Sequence, residues 1–354
     1  VLKDLTRYNN YNVVNTRLNN LKDYYTKFNN DIIILNGYNS EFDELLQLNE
    51  AFYAHVDTVQ TKANAVYDPG MKGEGGAIYV SGVNTLIHDS DISNTHAYTD
   101  GDGGGVYVTG TNTSIVNSNF TNTIADHVGG AAYVAGHNTY ITGDSFYNSK
   151  SKGTGVHDGG GAMYIVGDGT YVSDSNFTLS DSNKYGGAIY IAGKNTDIVT
   201  SNFIQNHASS PGGAVYIQQG LGLNTTIDYC YFFDNSAGGS AGALHVSGTN
   251  TTVNNTVFIK NHGVAKGGAI YIDGINATVQ YSNLTENAAS THGGAIYWEG
   301  GHGGDSIVGC IIFNNSATNY DTALGGGVFW SVGNDVTPGG LVKDTIFDSN
   351  YAGK

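Results

Sequence analysis

From residue 75 onward, apolar and polar positions follow one recurring phrase. Two small residues and an Ala or Gly precede an aliphatic–aromatic–aliphatic triplet, as in Gly75-Gly76-Ala77-Ile78-Tyr79-Val80 and Gly186-Gly187-Ala188-Ile189-Tyr190-Ile191. Ten copies occur, with the second small residue at 76, 104, 130, 161, 187, 213, 242, 268, 294 and 326; the commonest interval is 26 residues. Each unit carries a second phrase, a short Asn-Thr-x-apolar segment such as Asn84-Thr85-Leu86-Ile87 or Asn195-Thr196-Asp197-Ile198. A third phrase sets an apolar residue three positions before Asn: Phe203/Asn206, Phe232/Asn235, Phe258/Asn261 and Phe347/Asn350, with Leu284/Asn287 and Ile312/Asn315 as variants. These segments alternate with period two between Gly, Asn, Asp and Ser turns, and a unit has no room for a helix as well. The pattern predicts a mainly β chain, a right-handed parallel β-helix of about ten coils with three strands per coil. At about 4.8 Å per coil the rod is roughly 50 Å long.

Period two also assigns faces. In Gly-Gly-Ala-Ile-Tyr-Ile the two aliphatics share one side, expected inside, and Ala and Tyr share the other. The Phe of the third segment should point inward, and the Asn three residues on should stack with its copies as an amide ladder at the turn. Cys230 and Cys310 each lie two residues before an inward apolar position and are three coils apart. That is roughly 14 Å, too far for a disulfide, so two buried unpaired thiols are expected.

A different pattern precedes residue 70. Tyr11, Val14, Leu18, Leu21, Tyr25, Phe28, Ile32 and Leu35 fall on one helical face, and so do Phe42, Leu45, Phe52, Val56, Val59, Ala63 and Val66. Asn36-Gly37 and Pro69-Gly70 end the two runs. Residues 1–69 are therefore expected to form a helical hairpin, acting as a cap or stalk, with the β-helix over 70–354. Fifty of the 51 glycines lie at or after Gly70, which marks the same boundary.

Composition narrows the function. A formal charge of -16 with only 15 Lys+Arg argues against a nucleic-acid partner. No apolar run is long enough to span a membrane in this segment. With Val1 at its start and Gly353-Lys354 at its end, the chain reads as an excerpt of a longer precursor. Nine Asn-x-Ser/Thr sequons, at Asn112, Asn119, Asn176, Asn224, Asn250, Asn254, Asn276, Asn283 and Asn314, would accept glycans on an exported protein.

The paired Gly-Gly-Ala-Ile and Phe-x-x-Asn phrases resemble two groups of surface proteins over about residues 70–354. One is the adhesin-like proteins of methanogenic archaea. The other is the polymorphic outer-membrane proteins of chlamydiae. The resemblance implies extracellular display at the cell surface and attachment to other cells.

No catalytic set assembles from the sequence. The only arginines are Arg7 and Arg17, so arginine-dependent pectate-lyase and pectin-esterase chemistry is disfavoured in the repeat region. Asn195-Thr196-Asp197 is repeat filler, and no facing carboxylate pair for glycoside hydrolysis is apparent. Asp100-Gly101-Asp102-Gly103 reads as a plain turn in preference to a calcium loop. His127, His157 and His292 fall at turn tips and read as solvated; no metal or cofactor is expected. The most suggestive feature is the row Tyr79, Tyr107, Tyr133, Tyr164, Tyr190, Tyr216, Tyr271 and Tyr297, with His245 and Phe329 in the same slot. Facing outward, these would form a flat aromatic strip beside small Ala or Gly positions, suited to a sugar or a protein surface. The bland alternative is that they only cover the sheet. The expected function is a non-catalytic adhesin segment binding a glycan or surface protein of another cell through one face. A polysaccharide lyase or hydrolase of the same fold and a passive surface spacer are the alternatives.

Overall fold

The structure, a computed structural model, describes residues 73–300, 304–319, 321–331 and 340–353, together with Asp23 and Lys27. The helical hairpin expected over 1–69 lies outside the described residues apart from those two positions. The chain parts into two compact units, Val1–Met71 with Ala77–Tyr79, and Lys72–Gly76 with Val80–Lys354.

The repeat region is a parallel β-solenoid of the right-handed type, the sense that parallel crossovers adopt. Its strands form four parallel sheets of ten strands each. The expected three strands per coil are four. One coil runs through Met163–Ile165, Tyr171–Ser173, Asn176–Thr178 and Asp181–Ser182, and the next through Ile189–Ile191, Asp197–Val199, Asn202–Ile204 and His207–Ala208. The fourth strand is two residues long and turns one small side chain inward, as Ala208 and Ala237 do. That is too little for period two to register.

At least one residue in the left-handed region lies between successive strands up to Val328–Ser331. In the coil beginning at Gly186 these are Gly186, Asn195, Thr200 and Gln205, with φ of 59, 53, 47 and 54°. Asn and Gly dominate such corners because their strain there is smallest. The second glycine of each Gly-Gly pair has another reason. A Cβ on Gly187 would meet the Gly213 carbonyl oxygen at 2.0 Å and the His207 carbonyl oxygen at 2.5 Å. At this point the first strand of a coil passes against the fourth strand of the same coil, backbone on backbone. All ten coils keep glycine there, whereas the preceding left-handed slot admits Ala241 at φ 62°.

The interior is a set of like-on-like ladders. Phe120, Phe146, Phe177, Phe203, Phe232 and Phe258 are fully buried and stack at centroid spacings of 4.6–4.9 Å. The expected amide ladder forms beside them. Each Asn from 206 to 315 donates from Nδ2 both to the next Asn Oδ1 and to a backbone carbonyl one coil back; Asn235, for example, reaches Asn261 and Phe203, both at 2.9 Å. The aliphatic pair flanking the tyrosine points inward as expected. The Ala before it does not share the tyrosine face: Ala131, Ala162, Ala188 and Ala214 are fully buried. The turn at the second glycine rotates this residue toward the phenylalanines, and a Cβ on the equivalent Gly105 would touch Phe120 Cδ1 at 3.0 Å.

Cys230 and Cys310 are both buried free thiols. Burial pushes the Cys230 thiol up to about 12. Their turn slot holds Ser118, Ser175 and Ser201 in other coils, and Asp144 in one. Asp144 is fully buried; its Oδ1 accepts from the Ser118 backbone N–H at 2.6 Å, while Oδ2 has no partner. Burial drives its carboxyl from 3.8 up to about 7 despite the backbone hydrogen bonds.

Two outcomes follow from these contacts. Gly187→Ala should cost about 3 kcal/mol or more in denaturant melts, because backbone rather than a side chain must yield. Asp144→Ser should raise stability at pH 8 and leave it unchanged at pH 4. The unfolded carboxyl ionises above about pH 4 and the folded one only above about 7, so the penalty grows through that window to at most about 4 kcal/mol. Thermal melts across that range check it, and an equal gain at both pH values would refute it.

Candidate functional site

The tyrosine row lies on the outer face of the first sheet and stays in register from coil to coil, Tyr133 against Tyr164 against Tyr190 against Tyr216. The rings form one continuous stack from Tyr107 to Phe329. Centroids are 4.6 Å apart for Tyr107–Tyr133, 5.6 Å for Tyr133–Tyr164, 4.6 Å for Tyr164–Tyr190 and 5.1 Å for Tyr190–Tyr216. His245 bridges Tyr216 and Tyr271, and Tyr297 and Phe329 complete the row.

This geometry changes what the row can offer. Within a stack each ring face is occupied by the next ring, so the solvent side presents edges and hydroxyls. Much of the middle is also covered. Tyr190 is 1% exposed, Tyr297 4%, and Tyr164 and Tyr271 9%. Val128 and Tyr185, from the turns leading into this sheet, pack over Tyr164 and Tyr190. Three of these four hydroxyls are already engaged. Tyr164 donates to the His157 carbonyl at 3.0 Å, Tyr271 donates to Glu299, and Lys266 Nζ donates to Tyr297 at 3.0 Å. Lys266 also sits 4.4 Å over the Tyr297 ring. Tyr107, Tyr133 and Tyr216 remain half-buried, and Tyr79 is 39% exposed.

Beside Tyr107 and Tyr133 the turns build a three-residue clasp that the sequence reading left as a plain turn and a solvated histidine. His127 Nδ1 lies 2.6 Å from Asp102 Oδ1, and its Nε2 lies 3.0 Å from Asp158 Oδ1. The three residues come from successive coils, at the corner that leads into the Gly-Gly strand. Asp102 also accepts from the Val128 backbone N–H, and Asp158 from that of Gly155. The hydrogen bond from Asp102 outweighs partial burial and raises His127 from 6.5 to about 9, so the imidazole is cationic at neutral pH. Burial and the charges of Asp102 and Glu74 push the Tyr133 hydroxyl up. The available signal was opposite charge at matching corners of successive coils, with Asp158 carried by a longer unit.

Two further polar groups are built across coils, one within the row and one at the end of the fourth sheet. His245 Nε2 meets Ser247 Oγ at 2.9 Å, and Ser247 donates to Asp273. His96 Nε2 and Lys152 Nζ converge on Asp126 Oδ1 at 2.8 and 3.0 Å, and hold its carboxyl below the usual range against burial. Among the described residues, no group of three or more His, Cys, Asp or Glu is arranged to hold a metal ion. No helix among them is long and apolar enough to cross a membrane.

Comparison with known proteins agrees with the repeat. The Chlamydia polymorphic membrane protein repeat family matches residues 255–273, a stretch that contains Phe258, Asn261 and Gly267-Gly268-Ala269-Ile270. That supports the chlamydial resemblance over one unit. No match was found among curated proteins. Among solved structures, the chain is similar to a tailspike protein mutant of Escherichia coli bacteriophage HK620 in complex with a hexasaccharide, at 15% identity and a TM-score of 0.43. That match covers 79% of this chain and 55% of the tailspike chain, so this chain spans about half of its length.

Charging of His127 gives the clasp a pH signature. Its stabilisation is full below about pH 6.5 and is lost as pH rises through about 9. His127→Gln should therefore lower the melting temperature at pH 6 and leave it unchanged at pH 10. The loss at pH 6 should be on the order of 1 kcal/mol, given solvent screening at this half-exposed ring.

Proposed function

We propose that this chain is a non-catalytic segment of an extracellular, surface-displayed protein that binds a glycan of another cell at the Tyr107–Tyr133 end of the tyrosine row. The observation that carries this reading is the juxtaposition of accessible phenol edges with the Asp102–His127–Asp158 clasp. Half-buried phenol rings stacked at 4.6 Å, beside the carboxylates of the clasp, offer polar edges to successive sugar hydroxyls. The likeness of residues 255–273 to a membrane-protein repeat of chlamydiae supports display at a surface. Non-catalysis is supported by the way Asp102 and Asp158 both close on one imidazole instead of facing each other across a groove. The spacer reading draws on the buried tyrosines 164, 190, 271 and 297, whose rings serve the fold.

The test is a glycan array with whole-cell binding, alongside a reducing-sugar release assay, using the full chain. Tyr107→Phe with Tyr133→Phe removes the hydroxyls and keeps the stack, so binding should fall at least about tenfold with no change in melting temperature. Tyr190→Ala should instead cost about 3 kcal/mol of stability. Binding that survives the Phe pair would sink the site, sugar release would make the chain an enzyme, and silence in every assay would leave the spacer.

A further inference from the structure

The third sheet carries a second outward surface, unrelated to the tyrosine row. In four coils both of its outward positions are polar: Asp91 and Ser93, Asn119 and Thr121, Asn176 and Thr178, Asn283 and Thr285. Three coils hold apolar pairs: Tyr231 with Phe233 and Val257 with Ile259 in adjacent coils, and Ile311 with Phe313 two coils further on. The four side chains of the adjacent coils are in direct register and half-exposed, and the Tyr231 and Phe233 rings lie parallel at 6.0 Å. Nothing in the coil geometry asks for apolar residues here, since the same slots hold Asn and Thr elsewhere.

A charged corner row runs along one edge of the patch. Its members in successive coils are Gln205, Asp234, Lys260 and Glu286. Lys260 Nζ reaches Glu286 Oε2 at 3.7 Å, and Gln205 Nε2 donates to Asp234 Oδ2 at 3.0 Å. Asp234 has no ion-pair partner among the described residues. The order of charge along this edge, acid beside base beside acid, has a self-complementary register.

We propose that this face pairs with the same face of a second copy of the chain, with the two rods antiparallel. The two-fold axis lies in the interface plane, parallel to the strands, between the Tyr231–Phe233 and Val257–Ile259 coils. A rotation about it sets Tyr231 opposite the second copy's Val257 and Phe233 opposite its Ile259, and brings Asp234 to its Lys260, twice by symmetry. The carboxylate that lacks a cation in one chain thereby gains one from the other. A rotation about the rod axis would place the charged corner against the opposite corner row, where Tyr229 and Tyr281 stand, and would lose this match. The face is only three residues wide, so the area per partner falls below that of ordinary stable complexes. The dimer is therefore weak in solution and favoured where copies are crowded.

Sedimentation of the full chain across micromolar to high micromolar concentrations tests this. A reversible monomer–dimer equilibrium is expected, weakened by added salt. Phe233→Thr with Ile259→Thr installs residues that neighbouring coils already tolerate, and should weaken the dimer at least about tenfold without lowering the melting temperature. Asp234→Lys and Lys260→Asp should each weaken it similarly, and the two together should restore it to within about threefold. A chain that stays monomeric throughout, a dimer indifferent to the Thr pair, or a double reversal that fails to restore association would each overturn the proposal.

Discussion

The close approach at the second glycine of every Gly-Gly pair sets the shape of this solenoid. There a methyl group would collide both with the carbonyl oxygen of the next coil's glycine, at about 2 Å, and with the backbone of the fourth strand, at about 2.5 Å. The cross-section is pinched at that edge and cannot breathe. A coil so constrained can only lie on the next one in strict register, and the parallel pairing is therefore residue on equivalent residue throughout the four sheets. Everything else follows from that stacking of like on like.

Stacking like on like rewards some chemistries and punishes others. Aromatic rings and aliphatics gain from it, and the Phe and Tyr rows are the result. Amides gain more, because each Asn side chain is donor and acceptor at once and a row of them satisfies itself, as Asn206 to Asn350 do. Equal charges lose, which fits a chain with only 13% charged residues. Where charges do occupy neighbouring coils they tend to alternate in sign: Asp102, His127 and Asp158; Lys150 and Asp181; Lys260 and Glu286. Asp144 departs from the rule. It occupies a slot built for a hydroxyl, and its second oxygen finds nothing to bond.

The coil, its inward aliphatics, the Phe and Asn ladders and the two free thiols were legible in the sequence, because each recurs from coil to coil or sits at a fixed offset from something that does. Other features were not. A two-residue strand such as His207–Ala208 is shorter than one period of the pattern used to find strands. The inward turn of Ala131 and its equivalents depends on backbone rotation at the preceding glycine, which period two does not encode. The clasp on His127 was missed because its three members lie 25 and 31 residues apart, and only the stacked coils bring them together. The covering of Tyr164 and Tyr190 comes from Val128 and Tyr185, residues in the variable turns that the repeat does not describe.

The tyrosine row illustrates why regularity and recognition pull apart on such a surface. A ring can offer its face to a ligand only if nothing else occupies that face, and perfect repetition guarantees that the neighbouring ring does. The more faithfully the row repeats, the more completely it binds itself. What remains available to a partner is the edge of the row and the places where repetition fails. On this chain those are the longer turn that carries Asp158 to His127, and the two coils where Tyr231, Phe233, Val257 and Ile259 replace residues found as Asn and Thr in coils nearby. In a solenoid whose fold is a repeat, the departures from the repeat are where an encounter with another molecule can be written, since they alone are not needed by the fold.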